Sequence, residues 1–343
     1  MLFKQAELYN VVELVETEDR EGFYISRLPS RVRSQINKAA DSNALNPCGC
    51  EVRFCLVGES ATISLRREPA LGLTLETGIA EVFHGCFQGS YQSSPQPVGC
   101  ETVSIVVTKP DQMARLEKIA AQNNHPFDPN VVRVILPYDW KNRLVDIQGD
   151  ITPPLPSQIP TVRYLAYGSS ITHGSCAASP SETYAMRTAR LLGADLINMG
   201  FAGSAKLDEA MAEYIASRTD WTFASMELGI NVLGEWTVEE FEQRADAFTR
   251  IMRTCGQERH VFWTDLFTTG QDYEGDSKGD AFRNVIRTKI EASGMPNWHY
   301  RSGLELLTSS HGLTVDLVHP SSVGMEDIAN QLTAWMKPLV QFL

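Results

Sequence analysis

The amino-acid sequence predicts an α/β protein in two parts, a β-sandwich of jelly-roll type followed by a parallel sheet covered by helices on both faces. Three observations carry this reading. Up to about residue 150, apolar residues fall in alternating or β-branched runs separated by Gly, Pro, Ser and Asn. The stretch "GDITPPLPSQIP" then places four prolines in twelve residues, which makes an extended, stiff connector. From Thr161 onward, apolar strands alternate with segments of helical period. The implied boundaries are residues 1–150 for the sandwich, 151–160 for the linker and 161–343 for the α/β unit.

In the first part, "CEVRFCLVG", "ATISLRRE", "TVSIVVTK" and "NVVRVILPY" read as strands, and "PDQMARLEKIAAQN" as one short helix opening on Pro110 and Asp111. In the second, "VRYLAYG" is a strand, and "SPSETYAMRTARLLG" is a helix with a capping box from Ser179 to Glu182 and Gly193 as its stop. "ADLINMG" is strand and "KLDEAMAEYIASR" helix. "WTFASMELG" is strand, and "TVEEFEQRADAFTRIMRTCG" is a helix opening on a second capping box, Thr237 to Glu240. "RHVFWTDLF" is strand, "DAFRNVIRTKIEASG" helix, "LTVDLVHP" ends in a turn, and "SSVGMEDIANQLTAWMKPLV" closes as helix. Strands alternating with helices pair in parallel, and functional groups then gather on loops leaving the strands' carboxyl ends.

Composition narrows the function classes. The 343 residues are 43% hydrophobic and 21% charged, as in a globular protein with a sizeable core. Lys and Arg number 30 against 42 Asp and Glu, a net charge of -12 that repels phosphate backbones and anionic membranes, so neither nucleic acid nor a membrane is an expected partner. The N-terminus shows no signal-peptide pattern, and the chain reads as cytoplasmic. Seven cysteines, an odd number, fit reduced thiols. Cys48, Cys50 and Cys55 lack a nearby second ligand pair, so no metal site is expected there.

The loops after the strands of the second part carry a coherent chemistry. Ser170 follows the first strand, in "YGSSITHG"; Gly200 and Gly203 follow the second; Asn231 follows the third, in "ELGIN"; and Asp316 and His319 sit in "DLVHP" before the last helix. A serine hydroxyl is a weak nucleophile until an imidazole takes its proton, and the imidazole needs a carboxylate to fix its tautomer. The oxyanion formed on attack needs donors, for which the amides of Ser170 and of Gly203 or Gly200, and the Asn231 side chain, are candidates. His173, one turn from Ser170, is too close in sequence to aim at it and reads as a packed residue. Cys176 has no base paired with it in any block.

This set resembles the SGNH, or GDSL-like, hydrolase family. "GSSITHG" stands where the family has its Gly-Asp-Ser-Ile/Leu stretch, "NMGFAG" is similar to its glycine block, "GIN" to its Gly-x-Asn block and "DLVHP" to its Asp-x-x-His block. The resemblance covers roughly Val162 to the C-terminus. It implies a flavodoxin-like α/β/α sandwich, with Ser170 as nucleophile, His319 as general base, Asp316 as its partner, and Ser170, Gly203 and Asn231 as oxyanion donors. One departure is that Ser169 stands where the family usually has Asp. The sandwich ahead of such a unit also resembles carbohydrate esterases that remove acetyl groups, which implies a short-chain, acetyl ester of a carbohydrate as substrate.

No cofactor is called for, and self-association into a homo-oligomer is left open. The rival readings are a lipid or thioester acyl hydrolase and, from another class, a carbohydrate-binding protein that has lost activity. Trp140, Trp236, Trp263 and Tyr91 are the aromatic side chains available for stacking on a sugar, core packing being the alternative.

Overall fold

The computed structural model describes residues 1–70, 72, 74–275 and 277–340. Five strands, β1 (Arg163–Gly168), β2 (Asp195–Gly200), β3 (Phe223–Glu227), β4 (His260–Thr264) and β5 (Trp298–Arg301), form an all-parallel sheet in the order β2-β1-β3-β4-β5. Successive side chains of a strand point to opposite faces, and both faces here are apolar. Leu165, Tyr167, Ile197, Met199, Ala224, Met226, Val261 and Trp263 share one core; Tyr164, Ala166, Leu196, Phe223 and Phe262 share the other.

Each face is covered by helices with an inward apolar stripe. Helices α1 (Tyr184–Leu192) and α5 (Ser322–Val340) close one face through Ala185, Ala189, Met325, Ile328 and Leu332. On the other lie α2 (Glu209–Ser217), α3 (Val238–Met252) and α4 (Ser277–Glu291). There Phe241 of α3 stacks on Phe282 of α4 with ring centroids 4.2 Å apart.

Two local expectations differ from the structure. The capping box at Thr237 forms, with reciprocal bonds between Thr237 and Glu240. The one at Ser179 does not. The buried carboxylate of Glu81 takes the donors instead, accepting from Ser179 Oγ (3.1 Å), Ser181 N (2.7 Å) and Ser181 Oγ (2.9 Å). Residues Pro180–Glu182 are consequently a 3-10 turn, and Thr183 caps α1. The last strand is Trp298–Arg301 rather than any part of "LTVDLVHP", which forms a loop closed by the single bridge Leu313–Pro320.

Among the described residues, the N-terminal part is an eleven-stranded antiparallel sheet built on one 17-residue strand, Glu51–Arg67. This strand changes partners along its length. Residues 51–55 pair with Val131–Ile135, and residues 60–65 with Val103–Thr108, while Asn142–Thr152 runs beside much of it. Both ends of the long strand contribute to one core, with Val52, Phe54, Ala61, Ile63 and Leu65 meeting Ile25, Ile105, Val107 and Ile147. The short helix falls at Met113–Gln122.

The edge strand β2 faces this sheet through buried charge. Arg53 donates twice to Asp195, the first residue of β2, at 2.7 Å each, while Glu51 accepts from Arg53 (2.8 Å) and Arg133 (2.5 and 2.8 Å). All four side chains are buried, and Arg53 also lies 3.6 Å from the centroid of the Tyr9 ring. Removing one partner of a buried pair strands a charge in a medium that cannot solvate it. Asp195→Ala is therefore expected to cost about 3–5 kcal/mol in chemical denaturation, whereas Arg53→Met with Asp195→Leu recovers most of the loss. An Asp195→Ala protein as stable as the parent would contradict this.

Candidate active site

The chain leaves β1 at Gly168 and turns at once into a single helical turn, Ser170–His173. Ser169 caps it by accepting from Ile171 N (3.1 Å), and Gly174 ends it at φ +112°. Ser170 is the first residue of that turn, its Oγ 2.8 Å from Nε2 of His319. On the other side of the ring, Nδ1 of His319 is 2.7 Å from Oδ2 of Asp316. A carboxylate only accepts, so Nδ1 carries the proton and Nε2 is left to accept from Ser170.

Asp316 is itself held from several sides. Its Oδ1 accepts from Thr314 Oγ1 (2.8 Å) and from the amides of Val318 and His319 (2.9 Å each). Burial opposes the charge, but the His319, Val318 and Thr314 bonds outweigh it and hold the carboxyl well below the usual carboxylate range. The reversal that brings these amides back onto Oδ1 passes through Leu317 at φ +60°, whose carbonyl accepts from Gly270 N at 2.7 Å.

The two candidate glycines separate on contact. A Cβ on Gly200 would lie 2.2 Å from the backbone nitrogen of His173, so this glycine lets β2 pack against the turn that carries Ser170. Gly203 faces open space at φ +63° and lines the same cleft as Ser170, Asn231, Asp316 and His319. Asn231 lies in the turn Ile230–Val232 after β3; its Oδ1 accepts from Ala205 N (3.0 Å), which fixes the orientation of the side-chain amide. The cleft measures about 1270 Å³.

His173 does not reach Ser170. It is buried, with Nε2 2.7 Å from the Tyr138 carbonyl and Nδ1 3.2 Å from the Gly200 carbonyl. Burial first, then the Arg27 charge, push it down to about 4. Cys48 and Cys50 turn their thiols to backbone carbonyls, of His173 (2.8 Å) and Asn10 (3.3 Å), and burial pushes the Cys48 thiol up to about 12.

Two features of the site leave little signal in the sequence. Glu227, the last residue of β3, is buried beneath the turn, its Oε2 accepting from Ser169 N (2.6 Å) and Thr172 Oγ1 (3.0 Å). Burial raises its carboxyl against those bonds. Its signal was a lone acid in the apolar run "WTFASMELG". The N-terminal part also supplies a wall of the cleft, including Asn43, Asn46, Tyr138 and Trp140. Of the four aromatic candidates, Trp140 lines the cleft, Trp263 is fully buried, Trp236 packs on the core and Tyr91 is exposed elsewhere.

The parallel α/β sheet thus carries a serine, a histidine and an aspartate in a hydrogen-bonded line on its loops. The chain belongs to the GDSL-like lipase/acylhydrolase family, whose model matches residues 161–337. That membership makes it an esterase or acylhydrolase. No curated protein matched it by sequence. Solved structures share the fold over both parts. The salicylyl-acyltransferase SsfX3 from a tetracycline biosynthetic pathway superposes with a TM-score of 0.79 at 18% identity, covering 98% of this chain and 95% of its own. A family two carbohydrate esterase from Cellvibrio japonicus gives 0.60 at 12% identity, covering 98% and 96%. An acetyl xylan esterase from the rumen bacterium Butyrivibrio proteoclasticus gives 0.56 at 12% identity, covering 86% and 91%. Among the described residues no helix is long and apolar enough to cross a membrane.

The buried imidazole of His173 makes stability depend on pH. Between about 4 and the unfolded value near 6.5, the unfolded chain binds a proton that the native protein excludes, so stability falls as pH is lowered through that window. His173 alone is expected to contribute a loss of about 2 kcal/mol between pH 7 and pH 5. Denaturant unfolding at both pH values measures it. His173→Gln is expected to lose less than the parent over that interval, and equal losses would contradict the assignment.

Proposed function

We propose that the chain is a serine esterase acting through an acyl-enzyme on short-chain, acetyl esters of carbohydrates. The observation that carries the chemistry is the 2.8 and 2.7 Å line from Ser170 through His319 to Asp316. Ser170 Oγ attacks the ester carbonyl as His319 Nε2 takes its proton, and the imidazolium is stabilised by Asp316. The oxyanion is met by the amides of Ser170 and Gly203 and the Asn231 side chain. On collapse the carbon–oxygen bond to the alcohol breaks and His319 returns the proton to the leaving group. Water then attacks the acyl-serine, with His319 again as base.

The carbohydrate part of the reading is supported by the fold shared with carbohydrate esterases and by Trp140 and the two asparagines on the cleft wall. We read residues 1–150 as a jelly-roll-like accessory domain, supported by the partner change along Glu51–Arg67, and 161–343 as the catalytic domain. A second reading, hydrolysis of longer acyl esters, is favoured by the size of the cleft and by Leu75, Leu233, Leu317 and Val318 along it.

p-Nitrophenyl esters from acetyl to octanoyl, with acetylated saccharides, test the proposal. Hydrolysis is expected to be fastest for acetyl, to release acetate from the saccharides, and to fall at least a thousandfold in Ser170→Ala. Rates that climb toward octanoyl favour the longer-chain reading. No difference between the parent and Ser170→Ala would remove Ser170 from the mechanism.

A further inference from the structure

Cys176 lies on the loop that leaves the Ser170–His173 turn, at φ +69°, a conformation that a non-glycine residue adopts rarely. The backbone there brings the thiol beside Asp316. Its sulfur, a carboxylate oxygen of Asp316 and a ring nitrogen of His319 all lie within 4.8 Å of one another. Cys176 and Asp316 are exposed, so an ion reaches them from solvent.

We propose that Cys176, Asp316 and His319 form a binding site for a borderline-soft divalent ion, zinc above all, and that occupancy switches off the hydrolytic site. The inhibitory part rests on the role of His319 proposed above. One sulfur, one imidazole and one carboxylate are three ligand types that zinc accepts, with water free to take the fourth position. Tetrahedral zinc spaces its ligand atoms about 3.3–3.8 Å apart. Rotation of the exposed Cys176 and Asp316 side chains reaches that spacing: the carboxylate oxygen now 2.7 Å from Nδ1 of the half-buried His319 moves apart from it, and the sulfur adjusts from within 4.8 Å.

The inhibition follows from proton bookkeeping on the ring. His319 now carries its proton on Nδ1, toward Asp316, and offers the Nε2 lone pair to Ser170. Nδ1 is the nitrogen beside Asp316, and a metal bound there needs its lone pair. The single ring proton of the neutral imidazole then resides on Nε2, which becomes a donor and can no longer accept from Ser170. The thiol binds as thiolate, so each ion releases one proton to solvent and binding tightens as pH rises.

Zinc ion titrated into Ser170→Ala, followed by calorimetry and by competition with a chromophoric chelator, reads the site without relying on turnover. One equivalent is expected to bind, and adding Cys176→Ser is expected to weaken that equivalent at least tenfold. In the hydrolysis assay zinc is expected to inhibit the parent reversibly, with activity restored by chelator. Cys176→Ser is expected to hydrolyse at the parent rate with at least tenfold lower sensitivity to zinc. Magnesium at the same concentration is expected to leave the parent unaffected. Zinc affinity unchanged by Cys176→Ser overturns the site, whether or not hydrolysis is detected; tight binding without loss of hydrolysis overturns the switch alone.

Discussion

An imidazole can take a proton from a serine hydroxyl only while its other nitrogen is held as a donor, and in this chain the Asp316 carboxylate imposes that condition on His319. Asp316 does so because its second oxygen is already saturated by Thr314 and two backbone amides, leaving Oδ2 for the ring. The loop is short enough for acid and base to be positioned by one reversal at Leu317, tied down by Gly270. Ser170 comes from the opposite side of the site, at a strand end, where the backbone must turn sharply. The hydrogen-bonded line thus joins a local loop motif to the edge of a sheet.

That edge is held by contacts that extend beyond the loops themselves. Glu227 fastens the Ser169 amide and Thr172 from below, and Tyr184 continues the chain of hydroxyls, its OH 2.6 Å from Thr172 Oγ1. The N-terminal sheet braces β2 from the side. Arg53 meets Asp195 at the start of the strand, and Arg27, buried with no carboxylate partner among the described residues, donates to the carbonyl of Asn198 at 3.1 Å and to those of Asn43 and Asn46 at 2.8 Å each. Arg27 lies 4.8 Å from the centroid of the Phe201 ring, two residues before Gly203. The first part of the chain therefore bears on the cleft in two ways, through the wall it contributes and through the strand it supports.

The parallel unit was legible in the sequence because its strands are apolar on both faces and its helices are punctuated by caps, as at Thr237. What escaped was set by distant partners. Ser179 fits the capping pattern, yet Glu81, 98 residues earlier, takes its hydroxyl. Trp298–Arg301 is four residues long, and its His, Tyr and Arg conceal a strand at the sheet edge. Asn142–Thr152 was hidden because Arg143, Asp146 and Gly149 break its alternation where the register shifts. In the candidate site, Ser170, Asp316 and His319 were legible as candidates because each sits in a compact local pattern, and the structure brings the three together. Glu227 and the cleft wall could not, because their positions depend on packing between segments far apart in the chain.

We propose that the hydrogen-bonded line makes Ser170, and no other hydroxyl or thiol, the nucleophile. Covalent labelling with a fluorophosphonate, followed by intact mass and peptide mapping, tests it most directly. The account predicts a single adduct on Ser170 that is lost when His319 is replaced by alanine. An adduct on another residue, or an active protein that takes no label, would contradict it.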